Sequence, residues 1–233
     1  MSRLKKKKTK KKSRAKKRTL NISTIFAVLL VILCFLTAVK FLSQVVTEYY
    51  DDEKIVCLDA GHGGSDAGAT STDKKRLEKD DNLRLTLAVK TQLERMGVQV
   101  VLTREDDTFI ELKDRCKIAN RKRCDLFVAI HRNSSAKGTG VEAWISKNEK
   151  NGEKKLAKKF LTSICQVTGQ ENRGVKLGYR DRSANNYYIN ANTNMPSVLL
   201  EVGFITSEED NKVFDDKLDE TAYAIAKVIF ESL

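Results

Sequence analysis

Residues 20–39 carry no charged side chain, and this apolar run limits the organisation of the chain more than any other segment. Residues 25–39 lack the polar positions at 3.6-residue spacing that a helix packed on a soluble core would show. A helix of about 19 residues is ~28 Å long, close to the hydrocarbon thickness of a bilayer. The run therefore predicts a transmembrane anchor. A cleaved signal peptide is the alternative, although the preceding basic region is long for one and no A-x-A site follows.

The positive charge of the chain is concentrated in front of this run. The 233 residues include 43 Lys and Arg against 31 Asp and Glu, a formal net charge of +12. Residues 1–18 contain twelve basic and no acidic side chains, so the rest of the chain is neutral, which argues against nucleic acid as a partner. Basic residues beside a span favour a cytoplasmic N-terminus and an extracytoplasmic remainder. We divide the chain into a basic tail (1–19), a transmembrane anchor (20–39), a connector (40–53) and one globular domain (54–233).

The globular part alternates short apolar runs with helical periodicities. This alternation predicts an α/β domain whose mostly parallel twisted sheet is flanked by helices. Strands are expected at 54–58, 98–102, 125–130, 140–146 (with one face exposed), 187–189 and 197–202. Helices are expected at 78–96, 111–123, 153–167 and 217–232.

The cysteines outside the apolar run follow no metal-binding or dense disulfide pattern. Cys57, Cys116, Cys124 and Cys165 include no C-x-x-C pair. We expect them to be small buried apolar residues, with a single disulfide left open.

Four residues suited to metal chemistry fall where predicted strands end or a helix begins. His62 and His131, the only two histidines, follow the strands at 54–58 and 125–130, Glu78 opens a helix, and Glu201 lies near the end of the strand at 197–202. Ligands of open α/β sheets bind at the carboxyl ends of the strands. Two histidines and one glutamate are a common ligand set of catalytic zinc, and a second glutamate can take the proton of a water molecule.

Each of these residues also has an ordinary structural explanation. A histidine after a strand is more often a loop residue, and Glu78 suits a helix N-terminus electrostatically. Glu201 would serve equally well in a structural ion pair, because a buried carboxylate needs a partner. Spacing alone does not decide between these roles.

At these positions the sequence resembles the zinc-dependent N-acetylmuramoyl-L-alanine amidases of bacterial cell walls, sporulation and phage lysis. The matching stretches, in the family's order, are IVCLDAGHGGSDAGA (55–69), LEKDDN (77–82), VLTR (101–104), LFVAIHRN (126–133), GVE (140–142) and PSVLLEVGFI (196–205). The resemblance implies zinc ligation by His62, Glu78 and His131, and catalysis by Glu201. It further implies hydrolysis of the amide between N-acetylmuramic acid and L-alanine in peptidoglycan.

Some positions depart from the family pattern or add weaker candidates. The family usually has Pro at the position of Ala60 and a small residue at that of Arg132; we expect Arg132 to point to solvent rather than to alter substrate preference or contact acidic groups. Asn133 and the backbone amides near Gly63 and Gly64 are weak candidates for holding substrate. The basic segment 152–182 is interpreted as a solvated surface, with contact to anionic wall polymer as the alternative.

Two other functions compete with the amidase. One is a zinc hydrolase acting on another peptide, and the other is a non-catalytic wall-binding module. The retained His62, Glu78, His131 and Glu201 argue against the second. The oligomeric state cannot be inferred from the sequence.

Overall fold

The computed structural model describes residues 21–51, 54–150, 152–180 and 186–233. The chain forms two compact units, Met1–Asp52 and Glu53–Leu233. The predicted basic tail lies outside the described residues. In the first unit, helix α1 (Ile22–Asp51) begins after Asn21, whose side-chain oxygen accepts a hydrogen bond from the amide of Ser23.

The apolar part of α1, Ile22–Val45, is long and apolar enough to cross a membrane, a test that a signal sequence also passes. Its large side chains, such as Phe26, Leu30 and Phe35, are exposed. The helix continues to Asp51 through most of the segment that the sequence assigned to a connector.

In the described ranges, the second unit contains a six-stranded sheet in the order β2-β1-β3-β6-β4-β5. Neighbouring strands are parallel except β4 and β6, which confirms the prediction of a mostly parallel sheet. The strands are β1 (Ile55–Ala60), β2 (Gln99–Leu102), β3 (Leu126–Asn133), β4 (Val141–Ile145), β5 (Asn172–Leu177) and β6 (Ser197–Phe204).

Helices cover both faces of this sheet. They are α2 (Glu78–Arg95), α3 (Leu112–Arg121), α4 (Glu153–Thr168), α5 (Tyr188–Asn192), α6 (Glu208–Asp216) and α7 (Leu218–Phe230). Side chains alternate along β1, so Val56 and Leu58 join the core beneath α2, α4 and α7, while Cys57 joins a smaller core with Cys116 and Cys124 near α3. These three cysteines are buried free thiols, as expected of small apolar residues.

Two sequence-based expectations about elements are wrong, and two further elements were not predicted. β4 is buried on both faces, because the smaller core, which includes Trp144, covers the face expected to be exposed. Tyr187 to Ile189 is not a strand: Tyr187 precedes the short helix α5. The sequence also did not predict β5 or α6; β5 is a polar edge strand with Gly174 at φ 83°, so it lacks the apolar alternation of a strand.

Candidate active site

The loop after β1 places His62 at the carboxyl edge of the sheet. His62 has a φ of 61°, a left-handed conformation that few residues other than glycine adopt, and its carbonyl oxygen accepts a 2.7 Å hydrogen bond from Arg115 Nη2. Its Nδ1 lies 2.8 Å from Asp66 Oδ2, and its Nε2 faces Glu78. A carboxylate partner of this kind fixes the ring orientation of a metal-binding histidine.

Close packing holds the second histidine against the same loop. A Cβ at Gly61 would lie 2.1 Å from Cε1 of His131, so only glycine fits this position. Two buried arginines bind the loop carbonyls: Arg104 donates to Ala60 and Gly61 at 2.9 and 3.0 Å, and Arg115 donates to Ala60 at 2.7 Å. Neither supporting role was predicted from the sequence, although Arg104 ends the VLTR motif.

Glu78, the first residue of α2, is the point where both histidines meet. Its Oε1 lies 3.0 Å from His131 Nδ1 and 3.2 Å from His62 Nε2, and its Oε2 accepts a 2.8 Å hydrogen bond from the amide of Ala69. One ligand atom from each of His62, Glu78 and His131 lies within 4.8 Å of the others. The structure thus brings the three predicted ligands together in a group that could hold a metal ion.

The charges of this group are strongly coupled. Burial opposes ionisation of Glu78, but the hydrogen bonds to His131 and His62 outweigh it and hold the pKa of Glu78 well below its usual range. Burial likewise disfavours the charged form of His62, yet Glu78 and Asp66 raise its pKa to about 9. The two shifts in pKa therefore favour an ionised Glu78 beside a protonated His62.

Glu201 on β6 lies beside this group. It pairs in register with His131 on β3 and with Glu142 on β4. Its Oε1 is 3.3 Å from Arg180 Nη2, and its buried Oε2 has no hydrogen-bond partner in the described part of the chain. Burial raises the pKa of Glu201 to about 7, so near neutral pH the side chain can both accept and donate a proton.

The four side chains line a cleft of about 690 Å³. Its walls also contain exposed aromatic and apolar side chains, namely Phe109, Leu112, Tyr179 and Tyr188. A cleft with an apolar rim and a few convergent ionisable groups is typical of a substrate-binding site.

A family model described as N-acetylmuramoyl-L-alanine amidase matches residues 56–231 of the chain. The chain belongs to this amidase family. The uncharacterized protein YqiI of Bacillus subtilis is 36% identical over 172 residues, 73% of this chain and 77% of YqiI. The probable cell wall amidase LytH of Staphylococcus saprophyticus is 34% identical over 185 residues, 78% of this chain but only 57% of LytH.

A solved structure supports the same assignment. The crystal structure of an N-acetylmuramoyl-L-alanine amidase from Clostridium difficile 630 superposes with a TM-score of 0.70 at 33% identity, covering 77% of this chain and 96% of that one. The family resemblance and the α/β fold predicted from the sequence are thereby confirmed.

Arg132, where the amidase family usually has a small residue, does not point to solvent as expected. It is 2% exposed, forms an ion pair with Asp81, and donates a 2.7 Å hydrogen bond to Asn211 Oδ1. Its guanidinium carbon lies 4.4 Å from the centroid of the Phe214 ring. The reason is strand alternation: His131 faces the cleft, so Arg132 faces the helices on the other side of β3.

The weaker candidates for substrate contact are occupied within the protein. Asn133 is buried, donates to Glu142 Oε2 at 3.1 Å, and accepts from Arg180 and the amide of Ser134. The amides of Gly63 and Gly64 donate to the Asp66 carbonyl and the Asp107 carboxylate, respectively. These two amides are therefore not available to substrate in this conformation, and Asn133 is better placed to position Arg180 than to bind substrate itself.

The described part of the basic segment, residues 152–180, contains basic side chains in two kinds of environment, and Arg182 lies outside the described residues. Its four lysines on α4 are exposed, as expected of a solvated helix face: Lys154, Lys155, Lys158 and Lys159. Arg173 instead pairs with Glu142 at 2.7 Å, and Arg180 reaches the cleft. Contact between the lysines and an anionic wall polymer stays a prediction.

Proposed function

We propose that the protein is a zinc-dependent amidase that hydrolyses the bond between the lactyl group of N-acetylmuramic acid and the L-alanine of the peptidoglycan stem peptide. The observation that carries the proposal is the meeting of His62, Glu78 and His131 beside Glu201 in one cleft. The family to which the chain belongs, and the names of its relatives, support the substrate class.

The donor set fits zinc. Two imidazole nitrogens and one carboxylate oxygen match the protein ligands of catalytic zinc sites, whereas Mg²⁺ and Ca²⁺ prefer oxygen ligands alone. The Asp66 carboxylate on His62 supplies the outer hydrogen bond that such sites use. His62, Glu78 and His131 would hold the ion, which supplies a Lewis acid for the scissile carbonyl and lowers the pKa of water.

Glu201 performs the proton transfers in this proposal. Its unpartnered Oε2 is free to accept the proton of the attacking water, and its raised pKa lets it return that proton to the departing amine. No serine or cysteine nucleophile is required.

We further propose that α1 is an uncleaved single-pass anchor with the N-terminus in the cytoplasm. The length and composition of Ile22–Val45 and the basic residues before it support this topology. The second unit would then face the peptidoglycan, its proposed partner, from the outer side of the membrane.

Digestion of purified peptidoglycan by the full chain in detergent tests the function. The expected products, identified by mass spectrometry, are glycan with a free lactyl carboxyl group and peptides with N-terminal alanine. Chelation should abolish the reaction and added zinc should restore it. Cleavage within the peptide instead would favour the alternative peptide hydrolase, and the absence of any zinc-dependent cleavage would contradict the proposal.

A further inference from the structure

Arg180 places a cation in the cleft beside the proposed base. Its side chain is 37% exposed, and its Nη2 contacts Asn133 Oδ1 and Glu201 Oε1, the latter at 3.3 Å. Charge-assisted hydrogen bonds between nitrogen and oxygen are usually about 2.7–2.9 Å long, so the contact with Glu201 is loose. Among the described residues, Nε of Arg180 has no acceptor, and Nη1 has only the Ser134 carbonyl at 3.4 Å.

The other cations that line the cleft are already committed. His62 and His131 face the carboxylate of the metal-binding group. Arg115 donates to three backbone carbonyls and one buried carboxylate. Arg132 contributes to the lining, but its guanidinium points away from the cleft and is held by Asp81 and Asn211. Among the described cleft residues, Arg180 is therefore the cation with donors left for an anionic ligand.

The proposed chemistry places the departing amine of the substrate near Arg180. If Glu201 returns a proton to the departing amine, that nitrogen must lie within hydrogen-bond distance of Glu201. Because Arg180 contacts Glu201, its guanidinium lies within reach of the peptide that begins at this nitrogen. In stem peptides whose second residue is a γ-linked glutamate, an anionic α-carboxylate follows the first alanine; in amidated stems this group is a neutral carboxamide.

We propose that Arg180 binds this α-carboxylate and makes the enzyme prefer stem peptides that carry it over amidated ones. The inference rests on the proposed amidase function and names the peptide that its site selects. A guanidinium binds a carboxylate through two parallel hydrogen bonds. Nε, which has no acceptor among the residues that the structure describes, offers such a pair together with Nη2. On binding, the substrate carboxylate replaces the loose contact with Glu201 and leaves the base free for proton transfer.

Two matched muropeptides that differ only in α-carboxylate or α-carboxamide test the proposal. The readout is the ratio of kcat/KM between the two substrates, measured with the zinc-loaded full chain in detergent. We expect the wild type to favour the carboxylate by about tenfold or more, since hydrogen bonds to charged groups are among the stronger ones. Arg180→Met should bring the ratio close to one, and Arg180→Glu should reverse it. Arg180→Lys, which keeps the charge but not the two parallel N–H donors of the guanidinium, should give an intermediate ratio.

Arg95→Met is the matched control, because Arg95 is an exposed arginine at the end of α2 and does not line the cleft. It should keep the wild-type ratio. A wild-type ratio near one overturns the proposal, and so does an Arg180→Met variant that slows both substrates equally, because Arg180 would then act only through Glu201. If the wild type cleaves neither substrate, the amidase function itself is wrong, a result distinct from cleavage without preference.

Discussion

Glu78 and Glu201 lie in the same cleft and are both buried, yet their hydrogen bonding differs and their pKa values shift in opposite directions. Glu78 accepts hydrogen bonds on both carboxylate oxygens, and its pKa falls well below the usual range. Glu201 has one loose cationic contact and one oxygen without a hydrogen-bond partner among the described residues, and burial raises its pKa to about 7. A metal ligand must stay ionised, whereas a general base must gain and lose a proton, so the difference matches the two proposed roles.

Replacing Glu201 tests this difference where the expected effect is largest. Glu201→Gln keeps the shape of the side chain but cannot accept a proton, so we expect turnover of peptidoglycan to fall by roughly 10³-fold. Zinc content, measured by elemental analysis, should remain at the wild-type level. The exposed Glu105→Gln is the control for loss of a carboxylate elsewhere. Wild-type turnover by Glu201→Gln would rule out Glu201 as the base.

Replacing a histidine of the proposed metal site should remove zinc as well as activity, in contrast to Glu201→Gln. His62→Ala and His131→Ala each remove one of three donors, so we expect both variants to lose zinc on dialysis and to lose activity with it. The measurement is zinc content by elemental analysis, with Glu201→Gln as the variant that keeps the ion. Full zinc occupancy in either alanine variant would refute the assigned ligand set.

The pH dependence of zinc binding tests the charge coupling on the ligand side. The pKa of His62 is raised to about 9 in the metal-free protein, and zinc must displace that proton. Apparent zinc affinity should therefore rise with pH, by up to about tenfold per unit, and level off above pH ~9. Competition with a chelator between pH 6.5 and 9 measures this slope. Asp66→Asn removes one cause of the raised pKa of His62 and should make this slope shallower. A zinc affinity that does not change with pH would contradict the raised pKa of His62.

The sequence predicted where the site lies better than it predicted the contacts that hold the site residues in place. His62, His131 and Glu201 could be placed together because carboxyl ends of parallel strands meet at one edge of a sheet. The roles of Arg104, Arg115 and Asp66 depend on contacts between elements distant in sequence, which periodicity does not reveal. The burial of Arg132 could be predicted in part. Strand alternation places its side chain on the face of β3 opposite to that of His131. Alternation does not reveal the ion pair with Asp81, which makes burial of the charge tolerable.

The fold was predicted where the local pattern and the tertiary environment agree. β1, β3 and β6 are apolar runs buried in the middle of the sheet, and the sequence located each of them. The strand β4 was located correctly, but its burial and the helical conformation of α5 were not predicted, because the two elements contact each other: Asn190 of α5 donates a hydrogen bond to the carbonyl oxygen of Trp144 on β4. Local propensity alone favours a strand at Tyr187 and Tyr188, where the structure begins α5.

The smallest expected effect concerns stability and uses the same substitution as the largest. The pKa of Glu201 is raised from 4.5 to about 7 in the folded protein, so its contribution to stability is complete below pH ~4.5 and is lost as pH rises through 7. Glu201→Gln cannot ionise and escapes this loss. In the metal-free full chain, we expect the variant to be more stable than the wild type by about 1–3 kcal/mol at pH 8. The gain should shrink towards zero near pH 4.5.

Thermal unfolding in detergent micelles with chelator present, at pH 5 and pH 8, measures the effect. Glu105→Gln should show no comparable change between the two pH values, because Glu105 is exposed. A Glu201→Gln variant that is less stable than the wild type at pH 8 would mean that the loose contact with Arg180 stabilises the ionised carboxylate more than burial destabilises it. Glu201 would then resemble Glu78, and the contrast between ligand and base would have to come from the bound metal rather than from the protein alone.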